Sequence, residues 1–349
     1  MGERRCILVV GFPRSGTSWL AKCLSFAQGF TYYCEPDNYD RVPEGEKRFT
    51  NLYLTGEHDD PAYRRLMTRA CAGDIATAFT MKQDPGLLLR HLGRAGRRLG
   101  ERFPILFLRK RHVLIKLVFA NLNLAWFSAN LPHAVQLCVL RHPCGQFESW
   151  NRLGWVPNPK SLLENPRLVA DHLHPFTDLI RSATGYWERA GALWAATVYV
   201  IHRQTQADGG RLIVSYEWLC GDPLGRFEAL YGRVGLTWTK RAERFIRESD
   251  HEGDDRAYSM KRPATKQVDK WKDRLSSNDI EACRRFVEPF GLPYYPAFEP
   301  YVASFSGGHP TPTTVSAPHA EPVGPLQRDA QWAGSMRADN RSALRSRLG

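Results

Sequence analysis

Short runs of β-branched and aliphatic residues recur along the chain, separated by turn residues and longer mixed segments. The runs cover residues 6–10, 113–118, 134–140 and 211–215, and the segment "FTYYCEP" is also strand-like. Apolar runs of this length predict strands that are buried on both faces, as in a parallel sheet. Helices are predicted at 17–28, about 121–130, 144–153, 186–204, 223–234 and 277–286.

Strands that alternate with helices in this way predict an α/β protein with three layers, α/β/α, around a central parallel sheet. The 349 residues are 43% hydrophobic, which is enough for one large core. After Pro300 the chain becomes "SGGHPTPTTVSAPHAEPVGP" and then polar, with too little apolar material for a second core. We therefore expect one folded domain over 1–301 and a disordered tail over 302–349.

Charge and cysteine content limit the partners and the cellular location that we expect for the protein. The 48 basic residues exceed the 36 acidic ones and give a net charge of +12, which favours anionic partners without choosing among them. The eight cysteines show neither a C-x-x-C pair nor metal-ligand spacing, so we expect reduced thiols, a cytoplasmic location and no bound metal. The most apolar later stretch, 113–131, contains a lysine and three asparagines, and no transmembrane segment is predicted.

The stretch "ILVVGFPRSGTSWLAKCL" at 7–24 combines a strand, a turn with two glycines and a helix start. Such a turn presents free backbone N–H groups and the positive end of the helix dipole to an anion. A nucleoside-triphosphate loop of the G-x-x-x-x-G-K-[ST] type requires lysine where this chain has Thr17, while Arg14 lies inside the turn. By itself the loop is equally consistent with a tight strand-to-helix turn.

A second motif strengthens the prediction of an anion site. In "VLRHPCGQFES" a strand ends at Arg141, a proline begins the next turn, and Ser149 follows eight residues after the arginine. The two side chains can therefore converge on one anion. Arginine offers a planar fork for phosphate oxygens and serine a short donor.

With these residues the sequence resembles the sulfotransferases that use 3′-phosphoadenosine 5′-phosphosulfate (PAPS), whose fold is related to that of P-loop nucleotide kinases. "PRSGTSW" at 13–19 is similar to their 5′-phosphosulfate loop, and "RHPCGQFES" at 141–149 to their 3′-phosphate motif. "IVSYEWLCGDP" at 213–223 resembles the element whose tyrosine lies beside adenine. "KWKDRLS" at 270–276 resembles the basic C-terminal loop that closes over the nucleotide. The four motifs occur in the family's order over about 270 residues.

The resemblance implies a role for each matching residue. Arg14 stands where the family usually has a lysine beside the departing 5′-phosphate, and Trp19 matches a tryptophan that stacks on adenine. The loop would hold a sulfated phosphate, which needs neither the missing lysine nor Mg²⁺. The expected PAPS-binding residues are Arg14, Ser15, Gly16, Thr17, Ser18, Trp19, Arg141, Ser149, Tyr216, Lys261, Arg262 and Lys266.

The chain departs from the family at the general base. Cytosolic members carry K-x-H after the middle strand, whereas "LIKLVF" keeps Lys116 and has Val118 in place of the histidine. Other members of the family use a glutamate, and "FTYYCEP" ends in Glu35 at the expected edge of the sheet. We therefore expect Arg14, Glu35 and Lys116 to be the catalytic residues. His172 and His174 are alternative bases in the variable segment.

The resemblance implies transfer of a sulfuryl group from PAPS to a hydroxyl of a small-molecule, carbohydrate or glycolipid acceptor. The alternative is a P-loop nucleotide kinase or NTPase. A third hypothesis is a non-catalytic binder of anions or nucleic acid that uses the basic run at 90–116. Basic runs are commonly solvated surface, so this run is interpreted as a solvated face and no nucleic-acid partner is expected.

Overall fold

The computed structural model describes residues 5–39, 46–75, 112–206, 211–252 and 260–300. The strand-like runs form a five-stranded sheet in the order β2-β3-β1-β4-β5, and all four neighbouring pairs are parallel. The predicted parallel sheet is thus confirmed. The strands are β1 (Cys6–Gly11), β2 (Phe30–Cys34), β3 (His112–Leu117), β4 (Ala134–Leu140) and β5 (Arg211–Ser215).

Side chains of the central strand alternate between two separate cores. Leu8 and Val10 belong to one buried cluster, while Ile7 and Val9 belong to another on the opposite face. Helices therefore cover both faces, which confirms the predicted three layers. Within the described residues the helices are α1 (Thr17–Leu24), α2 (Pro61–Cys71), α3 (Leu124–Asn130), α4 (Pro143–Asn151), α5 (Pro166–Leu168), α6 (Thr177–Ser182), α7 (Tyr186–Gln206), α8 (Tyr216–Gly221), α9 (Pro223–Arg233), α10 (Lys240–Ser249) and α11 (Ser277–Val287).

Two helix boundaries differ from the prediction by three residues or more, because local hydrogen bonds compete with the helix. The helix predicted over 17–28 ends at Leu24, where the chain tightens into i→i−3 bonds before Gly29, whose φ is 81°. The helix predicted from about 121 begins at Leu124. Asn121 donates its side-chain N–H to the Val118 carbonyl, and this bond holds the preceding residues in a turn.

The strand order brings the carboxyl ends of three neighbouring strands together at one edge of the sheet. β1 lies between β3 and β4, so the glycine loop after β1 is flanked by the ends of both. In open parallel sheets, ligands bind in the crevice outside these ends. No helix among the described residues is both long and apolar enough to span a membrane. The predicted tail over 302–349, and the basic run as far as residue 111, lie outside the described residues.

Candidate active site

The turn between β1 and α1 requires its two glycines. A Cβ on Gly16, whose φ is 97°, would lie 2.4 Å from a ring carbon of Tyr216. A Cβ on Gly11 would lie 2.7 Å from the carbonyl oxygen of Val139. Arg14 also adopts left-handed backbone, with φ of 72°, a conformation that costs a side-chain-bearing residue about 1 kcal/mol or more. The loop is therefore held in one shape by close contacts on two sides.

The N-terminus of α1 opens towards the loop. Neither a side-chain cap nor an acidic residue occupies its first turn, so its N–H groups and dipole are available to an anion. Ser15 is fully buried, and its hydroxyl donates to the Phe12 carbonyl over 2.7 Å, which closes the turn. Thr17 is 2% exposed at the first helical position. Ser15 thus shapes the loop, while the helix start faces the crevice.

Arg14 links the loop to the second motif. Its Nε–H donates to Ser149 Oγ over 2.9 Å, and Arg141 Nη1 donates to the Arg14 carbonyl over 3.0 Å. Trp150 fixes the preceding residue, since its indole N–H donates to the Pro13 carbonyl over 2.9 Å. The arginine and serine that lie eight positions apart in sequence therefore both contact the same loop residue.

Aromatic rings form one wall beside these cations. The guanidinium of Arg141 lies over the Tyr216 ring at 4.6 Å from its centre, a cation–π contact. Trp19 meets Tyr216 edge-on, with ring centres 6.2 Å apart, and its indole N–H donates to Ser249 Oγ over 3.0 Å. The structure therefore brings Tyr216 and Trp19 together beside the loop, as expected from the motifs.

Buried polar groups hold the end of β4 in place. The Glu217 carboxylate accepts from the His142 backbone N–H over 2.9 Å and from the Tyr295 hydroxyl over 2.9 Å. The His142 ring stacks on Trp271 at 4.5 Å and donates through Nε2 to the Phe298 carbonyl. Burial lowers the pKa of His142 to about 3, so the ring is neutral at physiological pH. These contacts fix the backbone from which Arg141 projects.

A cleft of about 520 Å³ opens beside Arg141 and Ser149. Seven basic and four acidic residues line it, so the cleft favours anions. Three of the basic residues, Arg152, Lys270 and Arg274, were not among the expected binding residues. Lys270 and Arg274 belong to the "KWKDRLS" motif, which was the available signal, whereas Arg152 lies outside the motifs. The other four basic residues are Arg141, Lys261, Arg262 and Lys266.

A buried lysine joins the loop to the expected base. Lys116 is 4% exposed, donates to Ser18 Oγ over 3.0 Å, and forms an ion pair with the Glu35 carboxylate. Burial acts to lower the pKa of Lys116, but the neighbouring Cys34 and Glu35 outweigh it, and the pKa rises above its ordinary value. Lys116 is therefore a permanent cation at this point.

Glu35 follows β2 directly and adopts left-handed backbone, with φ of 47°. Its backbone N–H donates to the Lys116 carbonyl over 2.8 Å, and its second carboxylate oxygen accepts from Asn38 Nδ2 over 2.6 Å. Val118, at the position of the family's histidine, is 5% exposed and offers no proton acceptor. The strained backbone and two donors fix the direction of the carboxylate.

Two residues of this region were missed in the sequence. Asn38 and Asp37 follow Glu35 in "CEPDN", where the proximity of a second acidic residue to the predicted base was the available signal. Asp37 is fully buried, and neither of its carboxylate oxygens accepts a hydrogen bond from another residue. Burial, together with the charge of Glu35, raises the pKa of Asp37 to about 7.

The alternative bases lie in the variable segment. His172 Nε2 lies 3.0 Å from the Tyr53 hydroxyl, which also donates to Asp171 over 2.9 Å. Burial lowers the pKa of His172. His174 is exposed in a short helical turn. Of these candidates only Glu35 is shown in contact with a residue that also contacts the loop. Among the described residues, no three His, Cys, Asp or Glu side chains form a metal-binding group.

Comparison with known proteins places the chain in a family. The model of the sulfotransferase family matches residues 6–240, which include the loop, the Arg141 motif and the Tyr216 element. No curated protein sequence matches the chain.

Several solved structures are similar at low sequence identity. The sulfotransferase domain of the Synechococcus PCC 7002 olefin synthase is 16% identical, with 82% of this chain and 95% of that chain covered and a TM-score of 0.38. Mouse sulfotransferase SULT7A1 complexed with PAP is 12% identical, with coverages of 86% and 91% and a TM-score of 0.41. Retinol dehydratase in a complex with retinol and PAP is 14% identical, with coverages of 83% and 82% and a TM-score of 0.35.

Proposed function

The chain belongs to the sulfotransferase family, and from that premise we propose that it transfers the sulfuryl group of PAPS to a hydroxyl of a small-molecule, carbohydrate or glycolipid acceptor. The observation that carries the proposal is the position of Lys116. One buried ammonium contacts both Ser18 of the anion loop and the Glu35 carboxylate. An anion site and a proton acceptor are thus held on the same cation, as sulfuryl transfer to a hydroxyl requires.

The residues around the loop fit the two phosphates of the nucleotide. The open N-terminus of α1, with its hydroxyls at Thr17 and Ser18, suits the 5′-phosphosulfate, and no carboxylate lies in the first turn to repel it. Arg141 and Ser149 line the basic cleft and suit the 3′-phosphate. Tyr216 and Trp19 offer aromatic faces beside them for the adenine.

The catalytic work is divided between cations and a carboxylate. Arg14 stays protonated at all accessible pH values, so it stabilises negative charge on the departing phosphate and cannot act as an acid. Lys116 contributes a second fixed charge on the other side of the loop. Glu35 accepts the proton of the acceptor hydroxyl as the oxygen attacks sulfur.

Calorimetry and a transfer assay test the proposal. We expect 3′-phosphoadenosine 5′-phosphate (PAP) to bind more tightly than ATP with Mg²⁺, and labelled sulfate from PAPS to pass to a hydroxyl in a panel of phenols, sugars and lipids. Tighter binding of ATP with Mg²⁺ would instead support the P-loop kinase or NTPase. That alternative is not favoured, because Thr17 occupies the position of its essential lysine.

A further inference from the structure

Asp37 is a buried acid to which the proposed mechanism assigns no role. Its side chain is 0% exposed, and neither carboxylate oxygen accepts a hydrogen bond from another residue. A carboxylate in such a place is costly because nothing replaces the water that it loses on burial. Glu35, two residues away, differs in this respect, since Lys116 and Asn38 each contact one of its oxygens.

Two neighbouring carboxyl groups with unequal environments divide their protons unequally. A carboxyl group without donors keeps its proton to a higher pH than one with donors. We propose that Asp37 holds a proton beside the Glu35 carboxylate and makes anion binding at the loop dependent on pH. Asp37 is a positioning residue in this proposal, which rests on the proposed function.

The groups around Asp37 are consistent with this division. Glu35 on the same turn repels an ionised Asp37, Lys116 on β3 attracts it, and Tyr63 on α2 is within electrostatic reach. Tyr63 is itself fully buried, and burial raises its pKa well above the ordinary value, so it stays neutral. Burial and the charge of Glu35 outweigh the residue's own backbone N–H and the attraction of Lys116, and the pKa of Asp37 is about 7.

Lys116 connects Asp37 to the nucleotide. The ammonium touches Ser18, so an anion held by the loop lies close to the same cation that partly compensates the carboxyl pair. Each added negative charge makes a second carboxylate less favourable. The nucleotide should therefore bind best while Asp37 is protonated, and its affinity should fall as pH rises through the titration of Asp37.

The test is calorimetric titration with PAP between about pH 7 and 9, where the nucleotide phosphates are already ionised. We expect the affinity of the parent protein to fall by about three- to tenfold across this range, with proton uptake on binding. Asp37→Asn keeps the shape of the side chain and removes the titration, so its affinity should change less than about twofold. Asp178→Asn, at a fully exposed side chain, is the matched control and should behave like the parent.

A measurement without nucleotide separates this inference from the proposed function. The infrared C=O stretch of a protonated carboxyl should appear below neutral pH, disappear with a midpoint near 7, and be missing in Asp37→Asn. Absence of that band, or equal pH dependence of PAP affinity in the parent and Asp37→Asn, overturns the inference. If the band is present but PAP does not bind, the proposed function is wrong. The proposed coupling between Asp37 protonation and anion binding at the loop is then wrong as well.

Discussion

The site has two sides that use charge in opposite ways. Under the proposed function, the 11–19 loop with Arg141 and Ser149 forms the nucleotide side, which places cations beside an open cleft. The proton side, comprising Glu35, Asp37 and Lys116, places ionisable groups in the interior with side-chain exposures of 13% or less. Charged groups on the nucleotide side remain partly hydrated. On the proton side a buried acid has lost its hydration, so the hydrogen-bond donors around it decide whether it can carry a charge. A sequence motif can therefore place a cation, but burial sets the protonation state of an acid.

The hydrogen bonds that hold the side chains in place also differ between the two sides. On the nucleotide side, two of the hydrogen bonds run to backbone carbonyls, from Arg141 to Arg14 and from Trp150 to Pro13, and these fix shape rather than charge. On the proton side the partners of Glu35 are an ammonium and an amide side chain. Substitutions on the first side should therefore affect nucleotide affinity or turnover, and those on the second should also change pH dependence.

The largest expected effect is on the proton side. Glu35→Gln keeps the shape of the side chain and loses the proton acceptor, so turnover of PAPS should fall by about 10²–10⁴-fold while PAP affinity stays within a few-fold. Turnover is measured as release of PAP with a saturating acceptor. Retention of activity in Glu35→Gln, together with its loss in His172→Ala or His174→Ala, would move the base to the variable segment.

Arg14 should show an effect on turnover that exceeds its effect on binding. An interaction that strengthens as charge develops on the departing phosphate appears in kcat, and removal of one such donor costs about 10²–10³-fold. Arg14→Ala should lose that much in kcat with a smaller change in Kd for PAP. Arg14→Lys restores a cation and should recover much of the rate. Equal losses in kcat and affinity for the alanine variant would show that Arg14 only binds.

A substitution of Arg141 should affect nucleotide binding more than turnover. Arg141→Ala removes one partner of a charge pair at the proposed 3′-phosphate site and should weaken PAP binding by about 2–4 kcal/mol. The control ligand is adenosine 5′-phosphate, which lacks the 3′-phosphate and should lose much less. A similar loss for both ligands would contradict the assignment of the 3′-phosphate to Arg141.

The smallest expected effect is on stability. The pKa of Asp37 is raised from 3.8 to about 7, so the folded protein binds more protons than the unfolded chain, and stability falls as pH rises between these values. From pH 5 to 8 the loss should be about 2–3 kcal/mol. Asp37→Asn should therefore raise Tm at pH 8 and change it little near pH 4. An unchanged Tm at pH 8 would show that Asp37 gains a donor in solution.

Much of the fold follows from local sequence. The apolar runs at 6–10 and 134–140 became β1 and β4 within one residue, because buried strands need continuous apolar side chains on both faces. The sequence analysis did not predict helices such as α2 and α10. Their apolar positions are few, and their burial comes from contacts that are distant in sequence, such as the packing of Phe245 on Phe26.

The sequence by itself determined the order of the four motifs and showed Thr17 in place of the lysine of a nucleoside-triphosphate loop. It also gave the candidates Arg14, Arg141 and Ser149, because spacing along a strand-turn-helix unit fixes where such side chains project. Only the tertiary structure decided that Lys116 contacts both Ser18 and Glu35 and that Asp37 is a buried acid without a donor from another residue. The physical reason is that desolvation and hydrogen bonding depend on groups brought from β2, β3 and α2, which no local pattern specifies.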